Sequence, residues 1–143
     1  MLKKIIFSVF AFLPLMVVAQ TPVKGPLDGK IYLIDVYKEG KKKSFDSDEL
    51  KFNTGKFKSK LFADWGFTKA NKYQITSIDS TSSETKIYSW TTESVSDIKE
   101  TMTWNGTIKG EDIEGTSEIV NVKGDKTYAF TFTGKLKGKP AKK

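Results

Sequence analysis

Carboxylates are the only side chains in this sequence with evident catalytic or metal-binding chemistry. The chain has no histidine and no cysteine. That removes Ser-His-Asp and Cys-His nucleophiles, thiol redox chemistry and the usual zinc and copper ligand sets. Asp46, Asp48 and Glu49 fall together in FDSDEL, which has the spacing of half an oxygen-ligand loop. A calcium loop would continue as D-x-[DN]-x-[DN]-G and close on a glutamate at its twelfth position. The residues from Glu49 to Phe52 do not continue it, so a solvated turn ahead of a strand is expected. Glu111, Asp112 and Glu114 read as the turn and outer flank of a hairpin. Asp64 stands beside Trp65, and aromatic platforms often accompany sugars. A glycosidase needs a second carboxylate facing the first across a cleft, and none is expected on an inward face. The chain is therefore expected to be no enzyme, with no catalytic residue, no metal site and no cofactor.

Glycines and aromatics remain. In TWNGTIKGEDIEGT, Gly106, Gly110 and Gly115 are spread over a hairpin, with no helix behind them. A phosphate cradle would cluster them before a helix N-terminus. Gly110 is expected to end a strand at a turn. Gly106 and Gly115 are expected inside strands, as a bend or bulge of a barrel corner, with Trp104 and Ile108 filling the space beneath. Asn105-Gly106-Thr107 matches the glycosylation acceptor pattern and is read as a chance match. Tyr73, Tyr88, Trp90, Trp104 and Tyr128 project from strands, mostly toward the face read as inner. Buried Tyr and Trp have polar tips that want partners, so these five are the tentative contacts for a small hydrophobic or aromatic ligand.

The elements that would position them repeat with period two. Tyr32, Ile34 and Val36 share one face. Leu50, Phe52 and Phe57 flank Asn53-Thr54-Gly55. Tyr73 with Ile75, and Tyr88 with Trp90 and Thr92, mark two more strands. Met102, Trp104, Gly106 and Ile108 alternate with polar neighbours, as do Tyr128, Phe130, Phe132, Gly134 and Leu136. Two tight turns join the last three runs into a meander. Only SKLFADWGF, Ser59 to Phe67, has room for a turn of helix or a lid-like loop. About eight strands with one apolar face each predict an all-β, antiparallel up-and-down barrel, closed so that no edge is left. The alternative is a two-sheet β-sandwich.

The amino terminus has the layout of a secretory signal. Lys3 and Lys4 precede a short apolar run broken by Pro14, and Val17-Val18-Ala19 supplies small residues before a cut after residue 19. The expected organisation is a signal peptide over 1–19, a linker over 20–26, a barrel over 27–136 and a basic tail over 137–143. The product would be periplasmic or secreted, and monomeric. The chain has a formal net charge of +7 and no arginine. Lys3, Lys4 and the five lysines of KLKGKPAKK account for that whole excess. A neutral body without arginine forks argues against nucleic acid. Lys135, Lys137, Lys139, Lys142 and Lys143 are instead expected to contact an anionic surface.

A family resemblance rests on a series of spaced residues. These are Leu50-x-Phe52, Gly55-Lys56-Phe57-x-Ser59, Gly66-Phe67 and Tyr73. They continue with Trp104-x-Gly106-x-Ile108-x-Gly110-x-x-Ile113-x-Gly115-Thr116 and Tyr128-x-Phe130-x-Phe132-x-Gly134-x-Leu136. The series resembles small exported bacterial proteins with a lipocalin-like, calycin-type β-barrel. The resemblance runs from about Leu27 to Leu136. It implies an antiparallel barrel with an interior pocket, working outside the cytoplasm, and implies no reaction. Lipocalins carry G-x-W in the first strand, where this chain has Gly29-Lys30-Ile31.

Overall fold

A computed structural model describes residues 25–81 and 85–138. The expected signal segment, the linker before Gly25 and the end of the tail from Lys139 lie outside the described residues. Eight strands follow one another in chain order: β1 Lys30–Lys38, β2 Asp46–Asn53, β3 Lys56–Ser59, β4 Asn71–Asp79, β5 Ile87–Val95, β6 Thr101–Lys109, β7 Asp112–Val120 and β8 Lys126–Leu136. One helical turn, α1 (Lys60–Ala63), interrupts them after β3. Each strand pairs antiparallel with its sequence neighbours, and β1 pairs with β8 as well, so the sheet closes into an up-and-down barrel. Closure satisfies the backbone groups that an open sheet would leave at two edges.

Alternation sets the inside. Tyr32, Ile34 and Val36 of β1, Leu50 and Phe52 of β2, Phe57 of β3, and Met102, Trp104 and Ile108 of β6 are buried. Their neighbours in sequence face outward with the lysines and threonines. Two-residue turns fix the register of two hairpins. Thr54-Gly55 links β2 to β3 with both residues at positive φ (54° and 73°), a backbone suited to the sheet's twist. Gly110-Glu111 links β6 to β7, with the glycine at φ 61°.

The ends are named here by their loops. The lower end holds segment 25–29, the Thr54-Gly55 and Gly110-Glu111 turns and the exit of β8. The upper end holds the β1–β2 loop, α1 and the loop after it, and the β5–β6 and β7–β8 loops. The helical turn expected within Ser59 to Phe67 is present and acts as a plug, with Phe62 fully buried against Trp104 and Phe130 at ring-centroid distances of 5.6 and 5.2 Å.

Gly106 and Gly115 have a different reason from the one expected. The β6–β7 register runs from Thr101↔Val120 to Lys109↔Asp112 without a shift, so there is no bulge at these glycines. They sit opposite each other, between Trp90 of β5 and Phe132 of β8 in the same cross-strand row. A methyl at Gly106 would lie 2.7 Å from the Trp90 indole, and one at Gly115 would lie 2.1 Å from the Asn105 carbonyl oxygen and 2.7 Å from the Phe132 ring. The missing side chains make room for the two large rings, and it is Trp90, more than Trp104 or Ile108, that covers the gap. Gly115→Ala is expected to cost about 1–3 kcal/mol by overpacking. Gly138→Ala, with nothing within 4 Å of the added carbon, should leave stability unchanged. Chemical denaturation midpoints of the two variants check this, and equal midpoints would refute the packing role of Gly115.

Candidate functional site

The five aromatics expected to share a ligand site are dispersed along the barrel. Trp90 and Trp104, each 1% exposed, meet in the core with Phe57 between them, at 5.3 and 5.0 Å between ring centroids. Phe132 closes the same cluster from β8, 5.4 Å from Trp104 and 6.3 Å from Trp90. Tyr73 is buried at the lower end beside Phe52, 5.1 Å away. Tyr88 is half-buried and packs on the margin of the core. Tyr128, expected inward, is 41% exposed at the upper end, where it stacks on Phe130 and meets Trp65 edge-on at 5.2 Å. Its place at the very start of β8, above the level where the barrel wall encloses side chains, explains the exposure. The structure thus brings two of the five together, as parts of one continuous set of rings. Phe52, Trp90, Phe57, Trp104, Phe62 and Phe130 each touch the next, so the axis of the barrel is occupied by the protein's own side chains.

Among the described residues, three polar atoms in this interior have no hydrogen-bond partner: Tyr32 Oη, Trp90 Nε1 and Ser117 Oγ. Burial pushes the Tyr32 hydroxyl up to about 12, so it stays protonated. Unpaired buried donors of this kind cost of the order of 1–3 kcal/mol each unless water or a ligand meets them.

Two carboxylates organise the ends: Asp28, which the sequence did not single out, and Asp48, which it did. Asp48, expected in a solvated turn, is a buried residue of β2, 6% exposed. It faces inward because it shares parity with Leu50 and Phe52. Its Oδ2 accepts a short hydrogen bond of 2.5 Å from Ser59 Oγ. Its Oδ1 accepts from the backbone N–H of Leu61 (2.7 Å) and of Glu49 (2.6 Å). Ser59 Oγ in turn accepts from the Phe62 N–H at 3.0 Å, as the N-cap of α1. The acid and the serine together satisfy the free N–H groups of the helical turn that plugs the barrel. At the lower end, Asp28 accepts from Tyr73 Oη (2.7 Å), Gly25 N–H (2.8 Å) and Gly55 N–H (2.9 Å). The Tyr73 hydroxyl also accepts from the Leu27 N–H at 3.2 Å. Burial, and then the hydrogen bond to Asp28, raise the Tyr73 hydroxyl well above its ordinary value. Asp28 thereby ties the chain entry to the strained Thr54-Gly55 turn and to β4.

These carboxylates serve as structural acceptors. An inward-facing acid does exist, contrary to the sequence expectation, but its oxygens are committed to α1. Asp64 is exposed at the end of α1, where its N–H bonds the Leu61 carbonyl. Among the described residues no three acidic side chains come close enough to hold a metal ion. The lysines expected to meet an anionic surface are partly committed too: Lys135 pairs with Asp112 at 2.7 Å and Lys137 with Glu49 at 3.3 Å. Lys139, Lys142 and Lys143 lie outside the described residues.

Asp48 gives a pH signature. Desolvation raises its carboxyl above the ordinary carboxylate value and outweighs the lowering by its hydrogen bonds to Ser59, Leu61, Glu49 and Lys60. The folded state then holds this proton more tightly than the unfolded chain. Asp48's contribution to stability is fullest below the unfolded value and falls as pH rises through the raised native one. Asp48→Asn keeps an acceptor for Leu61 and Glu49, so it should remove that slope at little cost. Asp48→Ala strands the donors of α1 and should cost about 1–3 kcal/mol. Thermal melts of both variants from pH 3 upward check this; an unchanged slope in Asp48→Asn would assign the dependence elsewhere.

No protein-family model, curated protein or solved structure matches this chain.

Proposed function

We propose that this chain is an exported, non-enzymatic β-barrel of lipocalin-like type that works from its outer surface, as an interaction protein of the cell envelope. The observation that carries the reading is the filled interior, where Phe57 lies between Trp90 and Trp104 and Phe62 plugs the upper end. Export is supported by the charged, then apolar, then small-residue pattern at the amino terminus. The non-enzymatic reading is supported by the roles of Asp28 and Asp48 as hydrogen-bond acceptors for backbone. The folded protein should be retained on isolated envelope material, either membranes or peptidoglycan. Failure to bind any envelope fraction would remove this reading.

A second reading keeps the small hydrophobic or aromatic ligand inside the barrel, contacted by Trp90 and Trp104. It is favoured by the unpartnered Tyr32 Oη, Trp90 Nε1 and Ser117 Oγ, which a ligand's polar atom would satisfy. Such a ligand must displace aromatic rings to enter. Tryptophan emission titrated against small lipids and aromatic molecules should then change saturably. Unchanged emission throughout would leave the interior as core alone.

A further inference from the structure

We propose that the upper end of the barrel is a docking surface for an anionic lipid bilayer, built from exposed apolar tips with unpaired lysines beside them. This rests on the surface reading above and names its partner. Among the described residues, seven large apolar side chains are exposed: Leu33, Phe45, Ile78, Val95, Ile98, Val122 and Tyr128. All but Leu33 and Ile78 lie at the upper end, on three different connections and the strand ends beside them. Single exposed apolar residues are ordinary, but their concentration on one end of a closed barrel is not.

The tips are held outward by satisfied turns. Ile98, 69% exposed, sits in a loop closed by hydrogen bonds from Ser96 N–H to the Glu100 carbonyl and from Lys99 N–H to the Ser96 carbonyl. Val122, 72% exposed, rides on a turn in which Asn121 Oδ1 accepts from the N–H groups of Lys123 and Asp125. Neither side chain has folded back, although both turns are fully bonded. At the same end, Phe45, Trp65 and Tyr128 form a half-exposed aromatic group, with Phe45 and Trp65 5.9 Å apart. Tyr and Trp combine an apolar body with a polar tip, which suits the headgroup region of a bilayer.

Charge selects the partner. The β1–β2 loop carries Lys41, Lys42 and Lys43 against one acid, Glu39, and Lys38 Nζ lies 4.9 Å above the Phe45 ring. Lys41, Lys42 and Lys43 take part in none of the ion pairs among the described residues, which are Lys126–Glu118, Lys135–Asp112 and Lys137–Glu49. The β5–β6 loop brings Asp97 and Glu100 against Lys99, and the β7–β8 loop brings Lys123 with Asp125, which places the basic side of the surface at the β1–β2 loop. Apolar insertion together with several lysines is the pairing that makes reversible membrane attachment specific for anionic lipid.

The test uses the exported form of the protein with vesicles of phosphatidylcholine, with and without phosphatidylglycerol. Binding is expected only to the anionic vesicles and should weaken with salt. Replacing Lys41, Lys42 and Lys43 together by Gln should weaken it about a hundredfold at low salt. Ile98→Ser with Val122→Ser should weaken it about tenfold, and neither change touches the core. Since Trp90 and Trp104 are buried, a blue shift on binding should come from Trp65 and vanish in Trp65→Phe. Wild-type binding by both sets of variants would overturn the proposal, and so would binding lost only when residues 137–143 are removed. Retention on envelope fractions without any vesicle binding would overturn the lipid assignment and leave the surface reading standing. Loss of both would remove the two together.

Discussion

Everything in this fold follows from packing bulky rings into the bore of a small barrel. Eight strands enclose little more than the volume of their own inward side chains. Here that volume is occupied by Phe52, Phe57, Trp90, Trp104, Phe130 and Phe132, all at most 2% exposed. Close packing tolerates neither gaps nor overlaps. The indole of Trp90 and the ring of Phe132 therefore require Gly106 and Gly115 in the wall beside them. Gly106 answers to the Trp90 ring alone, whereas at Gly115 a side chain would also strike the Asn105 carbonyl of the paired strand, so this glycine serves the pairing as well as the filling.

Filling the bore leaves its two ends to be sealed, and both seals use a buried or half-buried aspartate as acceptor for backbone N–H groups. At the upper end Asp48 and Ser59 hold α1 so that Phe62 can point inward. At the lower end Asp28 and Tyr73 fasten the entering chain beneath the barrel. A carboxylate with several donors aimed at it is worth more as a clasp than as a proton carrier. Asp28 and Asp48 are each committed to such donors, at opposite ends of the barrel.

The ends also differ in what they show to solvent. Lys135 and Lys137, near the exit of β8, are paired with Asp112 and Glu49. The opposite end keeps Phe45, Ile98, Val122 and Tyr128 exposed next to a lysine-rich loop. With the interior taken up by the core, this polarity is the feature of the molecule that folding alone does not account for.

By itself, the sequence determined strands and faces. Period-two alternation is a local property of the extended chain, so Tyr32-Ile34-Val36 and Met102-Trp104-Gly106-Ile108 could be assigned inward without knowing their neighbours. Tight turns joining such runs pointed to a meander, and enough runs to a closed barrel. The parity that buries Asp48 was also present, since 48, 50 and 52 share a face, but an acid cluster ahead of a strand looks solvated until Ser59 and α1 are seen to meet it. Alternation gives the face and not the height along the axis. Tyr128 and Phe130 share parity, yet one stands at the open rim and the other in the core. Only the tertiary structure decided that Trp90 would cover Gly106, that the five tentative aromatics would be dispersed, and that apolar tips from separate loops would gather at one end. Those outcomes depend on register between strands and on the volume they jointly enclose, and neither quantity is written in any single segment.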